Sequence, residues 1–157
     1  RGHRSGTLAV PNIVALGAAA ALCQEELARD GLSHLAHRRD RLLDGLLALP
    51  GVHLNAARSP RLPNNINVYI EGVDAKALMM GMRDIAMSSG SACASESLKP
   101  SHVLLALGLS EERAHRSIRL GLGRFTTDDD VDTALQRFAE TLPRLRQLSS
   151  VIPADAP

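Results

Sequence analysis

Cys93 lies in the segment Ser88-Ser89-Gly90-Ser91-Ala92-Cys93-Ala94-Ser95-Glu96-Ser97, and Arg119 follows in Ile118-Arg119-Leu120-Gly121. Serine, glycine and alanine offer little bulk for packing, so the first segment is expected to be a loop that carries a thiol beyond the reach of the scaffold. A guanidinium presents paired N–H donors that match a small carboxylate two-pronged. A travelling thiol and a carboxylate clamp together suit sulfur chemistry on an amino acid. Each residue also has a plainer reading. Cys93 could be a small buried hydrophobe, and Arg119 an exposed strand residue paired with an acid. Gly121 shares a strand face with Arg119, and a glycine there leaves room for a ligand.

Arg4-Ser5-Gly6-Thr7 places a cation, hydroxyls and a turn glycine just ahead of a helix. That composition suits a phosphate, and it equally suits an ordinary N-terminal cap region. The six histidines have no metal-ligand spacing with cysteines or carboxylates, so no metal site is expected.

The elements that must position these residues follow from periodicity. Pro11 opens a helical stretch to about Leu49, which Gly31 bends or divides. Ile13 to Leu22 is Ala-rich and apolar almost all round, as in a helix that wants burial on more than one side. Leu32, Leu35, Leu42, Leu43, Leu46 and Leu47 form a conventional amphipathic stripe. Val52–Asn55 reads as a short strand. In 65–71, Ile66, Val68 and Ile70 alternate with Asn67 and Tyr69, a clear strand. Asp74 caps a helix to about Arg83. Ile85–Ser88 reads as a short strand leading into the Ser/Gly loop. Pro100 starts a helix that ends at Gly108, and Ser110-Glu111-Glu112 caps another. Ser117–Leu122 is the last strand. Thr127, followed by three aspartates, starts a helix with Val131, Leu135, Phe138 and Leu142 inward. Pro143 is expected to kink that helix or begin a new turn, and the tail from Ser149 to fray. The order predicts an α+β layer, a largely antiparallel sheet with helices on one side.

At 157 residues the chain can hold one ordinary domain with its own core. No apolar run is long enough to span a bilayer. Cys23 and Cys93 are the only cysteines, which argues against a disulfide framework and for a reducing, cytoplasmic setting. A net charge of +1 provides no field that selects nucleic acid, and His37-Arg38-Arg39-Asp40-Arg41 reads as a solvated helix face. Tyr69, Phe125 and Phe138 leave few rings for base stacking.

Taken together, the segments Arg4-Ser5-Gly6-Thr7, Leu62-Pro63-Asn64-Asn65-Ile66-Asn67-Val68, Ser88-Ser89-Gly90-Ser91-Ala92-Cys93, Ile118-Arg119 and Gly123-Arg124-Phe125-Thr126-Thr127 resemble the cysteine desulfurases. These are NifS-like enzymes of the class-V aminotransferase fold that use pyridoxal 5′-phosphate. The segments occur in the family's order and span nearly the whole chain. The resemblance implies the small C-terminal domain of that fold at 29–148, preceded at 1–28 by the end and last helix of a large cofactor-binding domain, with 149–157 a tail. It implies Cys93 as the loop nucleophile that takes sulfur from L-cysteine as a persulfide and leaves alanine. Arg119 would clamp the substrate carboxylate, and Thr7 would reach the cofactor phosphate across a homodimer interface. The persulfide would pass to an acceptor such as an iron–sulfur scaffold.

Two departures accompany the resemblance. Lys76 and Lys99 are the only lysines, and neither matches the family's Schiff-base motif; Gly121 stands where related sequences often carry serine. The chain, which opens on Arg1, is therefore expected to be part of a longer enzyme, inactive by itself and prone to self-association through Ile13–Leu22. The alternatives are a non-enzymatic sulfur-relay module, or a related lyase acting on selenocysteine or cysteine sulfinate.

Overall fold

The computed structural model describes residues 5–30, 32–89 and 100–151. Cys93, Gly31 and Lys99 lie outside them. The chain divides into two compact units, 1–34 and 35–157.

In the first unit, helix α1 (Val10–Asp30) has no buried residue. Leu8, Val10, Ile13, Val14, Leu16, Leu22 and Leu27 are all exposed. This is the apolar surface expected of the Ala-rich stretch. Asp30 ends the helix by accepting hydrogen bonds from the Leu32 amide at 2.9 Å and from the His34 ring at 2.6 Å. Those bonds, the His34 ring first, hold its carboxyl below the usual carboxylate range. Leu32 takes a positive φ of 65°. Helix α2 (Ser33–Leu47) begins after it, so the long helical stretch is divided where the sequence suggested.

In the second unit, β1 (Val52–Leu54), β2 (Asn65–Ile70) and β3 (Ser117–Gly121) form an antiparallel sheet in the order β1-β2-β3. The period-2 pattern sorts its faces. Val52, Ile66, Val68, Ile70, Ile118 and Leu120 are buried, and with Leu42, Leu43 and Leu46 of α2 and Phe138 and Leu142 from the last helix they belong to the core. The opposite face carries His53, Asn67, Tyr69, Ser117 and Arg119. Helix α3 (Ala75–Gly81) is capped by Asp74, whose side chain accepts from the Lys76 and Ala77 amides. It is two residues shorter than the sequence suggested.

Short helices α4 (His102–Ala106) and α5 (Glu111–His115) complete the set before α6 (Asp128–Val151). The expectation that helices lie on one side of the sheet is corrected here. Arg113 of α5 stands 4.8 Å over the Tyr69 ring, which belongs to the polar face. The cation–π contact gives a second layer of helix a reason to settle there.

Two further expectations change. Ile85–Ser88 is not a strand; only Ser88 makes a bridge, to Arg119. Pro143 sits inside α6 and begins no new element, and the helix runs on to Val151, past the Ser149 at which the tail was expected to begin. Leu142 beside it is buried, and that packing carries the helix past the missing N–H. Arg146, one turn further on, donates to the carbonyls of Glu71 and Pro50 and ties the end of α6 to the β1–β2 region.

The start of α6 is a reciprocal cap. The Thr127 amide and hydroxyl both donate to Asp130 Oδ2 at 2.8 Å, and the Asp130 amide donates back to Thr127 Oγ1 at 3.1 Å. Hydrogen bonding from Thr127, its amide first, holds the Asp130 carboxyl below its ordinary value. A carboxyl lowered by folding contributes stability above its unfolded value, lost as pH falls through the folded one. Thr127→Ala is expected to destabilise the second unit by about 1 kcal/mol in denaturant unfolding. Asp130→Asn should remove part of the acid sensitivity below the usual carboxylate range. An unchanged pH profile would show that the cap contributes nothing.

Candidate functional site

The polar sheet face forms one wall of a cleft of about 670 Å³. Asn65, Asn67 and Arg119 line it from the sheet, Asn55, Ala56, Ala57, Pro60, Arg61 and Leu62 from the β1–β2 connection, and Ser101, Val103, Leu104 and Leu107 from α4 and its ends. Among the described residues two arginines and no carboxylate line it, so the cleft favours an anion; its apolar wall favours a ligand with a carbon body.

Arg119 is exposed on β3, and its guanidinium has no carboxylate partner among the described residues. Its backbone is fixed on both sides. On one, the Arg119 amide donates to the Ser88 carbonyl at 2.7 Å, and the Ser88 amide donates back at 3.1 Å. On the other, Arg119 faces Asn67 of β2. A residue in an antiparallel strand points its N–H and C=O to the same side. The pair with Asn67 is therefore of the non-hydrogen-bonded type, in which side chains stand closest. A Cβ built on Gly121 would meet only the Asn64 carbonyl, at 4.0 Å, so the space beside Arg119 is open as the sequence suggested.

The β1–β2 wall is held by arginines whose part the sequence did not reveal. Arg61 donates to the Asn55 carbonyl at 2.6 Å and to the Ala57 carbonyl at 3.0 Å, while Arg39 donates to the Leu62 carbonyl at 3.1 Å. Burial first, and then the neighbouring Arg39 cation, lowers the Arg61 pKa; a guanidinium keeps its charge regardless. Arg39 Nε lies 2.8 Å from Asp40 Oδ1 without the alignment of a hydrogen bond. Read as part of a solvated run of charges, Arg39 is in fact buried. Spacing alone carries no signal for that, because the carbonyls it serves lie more than twenty residues away.

Of the residues singled out from sequence, the structure thus places Arg119 in the cleft and brings it to Ser88, five residues before Cys93. Cys93 itself is outside the described residues. Thr7 is exposed ahead of α1 in the first unit. Among the described residues no cluster of His, Cys, Asp and Glu could hold a metal ion, and no helix is long and apolar enough to cross a membrane.

Comparison with known proteins decides the family. The class-V aminotransferase family matches residues 1–134. The chain belongs to that family. Within the class-V aminotransferases it is 46% identical over 149 residues, 95% of its length, to the cysteine desulfurase IscS of Mannheimia succiniciproducens. It is equally identical over the same length to a probable mitochondrial cysteine desulfurase of Schizosaccharomyces pombe. It spans 37% and 30% of those two proteins, about a third of their length. Among solved structures it is similar to a NifS-like protein of Rickettsia africae, with a TM-score of 0.75 and 31% identity over 87% of this chain and 36% of the other. A second NifS-like protein gives a TM-score of 0.77 and 30% identity over 92% of this chain and 36% of its own. These neighbours bear out the α+β fold of the class-V aminotransferases.

The family's cofactor does not find all it needs in the described residues. The cleft lining contains no lysine. Lys76 is exposed on α3, away from that lining. The described residues therefore do not fit the cofactor's covalent anchor.

Arg119 is exposed and has no acidic partner among the described residues, so its side chain contributes little to folding there. Arg119→Gln should leave unfolding stability within about 0.5 kcal/mol of the parent chain. A loss well beyond that would make Arg119 a structural residue.

Proposed function

We propose that the chain is the C-terminal part of a cysteine desulfurase, in which the Arg119 cleft holds the carboxylate of L-cysteine and Cys93 collects its sulfur. The observation that carries this reading is the backbone pair between Ser88 and Arg119. Cys93 follows Ser88 by five residues. An extended chain covers at most about 3.6 Å per residue, so Cys93 is tethered within roughly 18 Å of the strand that bears the clamp. One end of the thiol's leash is fixed beside the carboxylate site, which gives the thiol a high effective concentration there. The names of the relatives support the same activity.

In this reading Arg119 binds and orients the carboxylate, and the apolar wall from α4 restricts water. Pyridoxal 5′-phosphate, when bound, supplies the electron sink for bond breaking in the amino acid. The Cys93 thiolate attacks the substrate sulfur, an S–S bond forms and the Cβ–S bond breaks. Its electron pair stays on Cβ, which takes up a proton to give alanine. Carbon is reduced and sulfur oxidised, so no outside oxidant enters. Residues 1–28 are assigned to the end of the large cofactor domain, 29–148 to the small domain and 149–157 to the tail. Thr7 would reach the cofactor phosphate of a partner copy in a homodimer. The sulfur acceptor is a protein such as an iron–sulfur scaffold. Two cysteines in all suit a reducing cytoplasm.

The test is sulfide release from L-cysteine by the full-length protein in the presence of dithiothreitol. Cys93→Ser should lower turnover by at least about a hundredfold, and Arg119→Gln should raise KM for L-cysteine at least about tenfold. Turnover that survives both changes would overturn the assignment.

A further inference from the structure

The amide of Asn67 is locked in one sense by a chain of hydrogen bonds that ends on the backbone. Ser117 Oγ donates to the Arg113 carbonyl at 2.6 Å, which uses its only hydrogen. Asn55, 2.9 Å from that hydroxyl, must therefore face it with its NH2 group, and the same nitrogen lies 2.6 Å from the Asn67 side chain. Only the carbonyl oxygen of Asn67 can accept there. Asn55 and Ser117 are buried, so reversing any member would set acceptor against acceptor inside the protein. The Asn67 NH2 group is left turned away from Asn55. It has no partner among the described residues, and Asn67 lines the cleft directly across the ladder from Arg119.

Resting on the desulfurase reading, we propose that Asn67 is a specificity-determining donor for the same ligand. Its NH2 group gives a third N–H to the carboxylate that the Arg119 guanidinium holds. A guanidinium alone accepts any anion that can approach two-pronged; a neutral amide beside it, fixed as a donor, favours a planar carboxylate at one height above the sheet. The fixed sense matters because the donor needs no reorientation on binding. Asn55 and Ser117 are positioning residues that act through Asn67.

The test compares competition by L-alanine, which keeps the carboxylate, with competition by ethylamine, which lacks it, in sulfide release by the full-length protein. Asn67→Ala should weaken L-alanine and raise KM for L-cysteine by roughly 5- to 50-fold, leaving ethylamine unchanged. Asn67→Asp keeps the shape and the acceptor for Asn55 and replaces the donor by an anion. It should weaken L-alanine at least as much while the protein stays folded. Equal loss for both competitors, or no loss for either in both variants, overturns the role of Asn67. Failure of the desulfurase reading looks different: the parent protein would not prefer L-alanine to ethylamine, and Arg119→Gln would change neither.

Discussion

The two hydrogen bonds between the backbones of Ser88 and Arg119 are the constraint on which the site depends. Because both polar groups of Arg119 turn to Ser88, its other flank meets Asn67 without backbone bonds and at the closest side-chain spacing a sheet permits. The same pair fixes one end of the segment that leads to Cys93 to the strand that carries Arg119, the proposed carboxylate clamp. A single bridge thus sets the clamp, its neighbour and the origin of that segment.

Charge around the cleft follows a consistent pattern. The arginines with stabilising work have acceptors: Arg61 and Arg39 bind carbonyls of the β1–β2 connection, Arg146 those of Glu71 and Pro50, and Arg137 the Asp84 carboxylate at 2.7 Å. Arg119 has no carboxylate in reach among the described residues. It stands in a lining that, among the described residues, holds no carboxylate. Stability is supplied on the opposite sheet face, by Ile66, Val68, Ile118 and the helices packed there, so the polar face is free to serve a ligand.

Much of this was legible in the sequence. Strict alternation in Asn65–Ile70 gave β2 and both its faces, and Thr127 with the aspartates marked the start of α6, because both signals depend on neighbours within four residues. The division of the long N-terminal helical stretch was likewise local. What stayed hidden was non-local. Ile85–Ser88 looks like a strand by composition, but only Ser88 finds a partner, and that partner lies thirty-one residues on. Pro143 looked like a kink or the beginning of a new turn because the local cost of a missing N–H is plain, whereas the burial of Leu142 that offsets it is not. Arg39 read as surface for the same reason. At the site, Arg119 was identified from its neighbours and its open face, while the Asn55–Asn67–Ser117 chain joins three loop and strand positions that no spacing rule connects.

The most direct measurement is the mass of the peptide that contains Cys93, isolated from the full-length protein after one turnover with L-cysteine and without reductant. The account predicts one added sulfur atom on Cys93, none on Cys23, and a sharp loss of that addition at low substrate when Arg119 is changed to glutamine. Sulfur on another residue, or equal loading of Cys93 with and without the guanidinium, would contradict it.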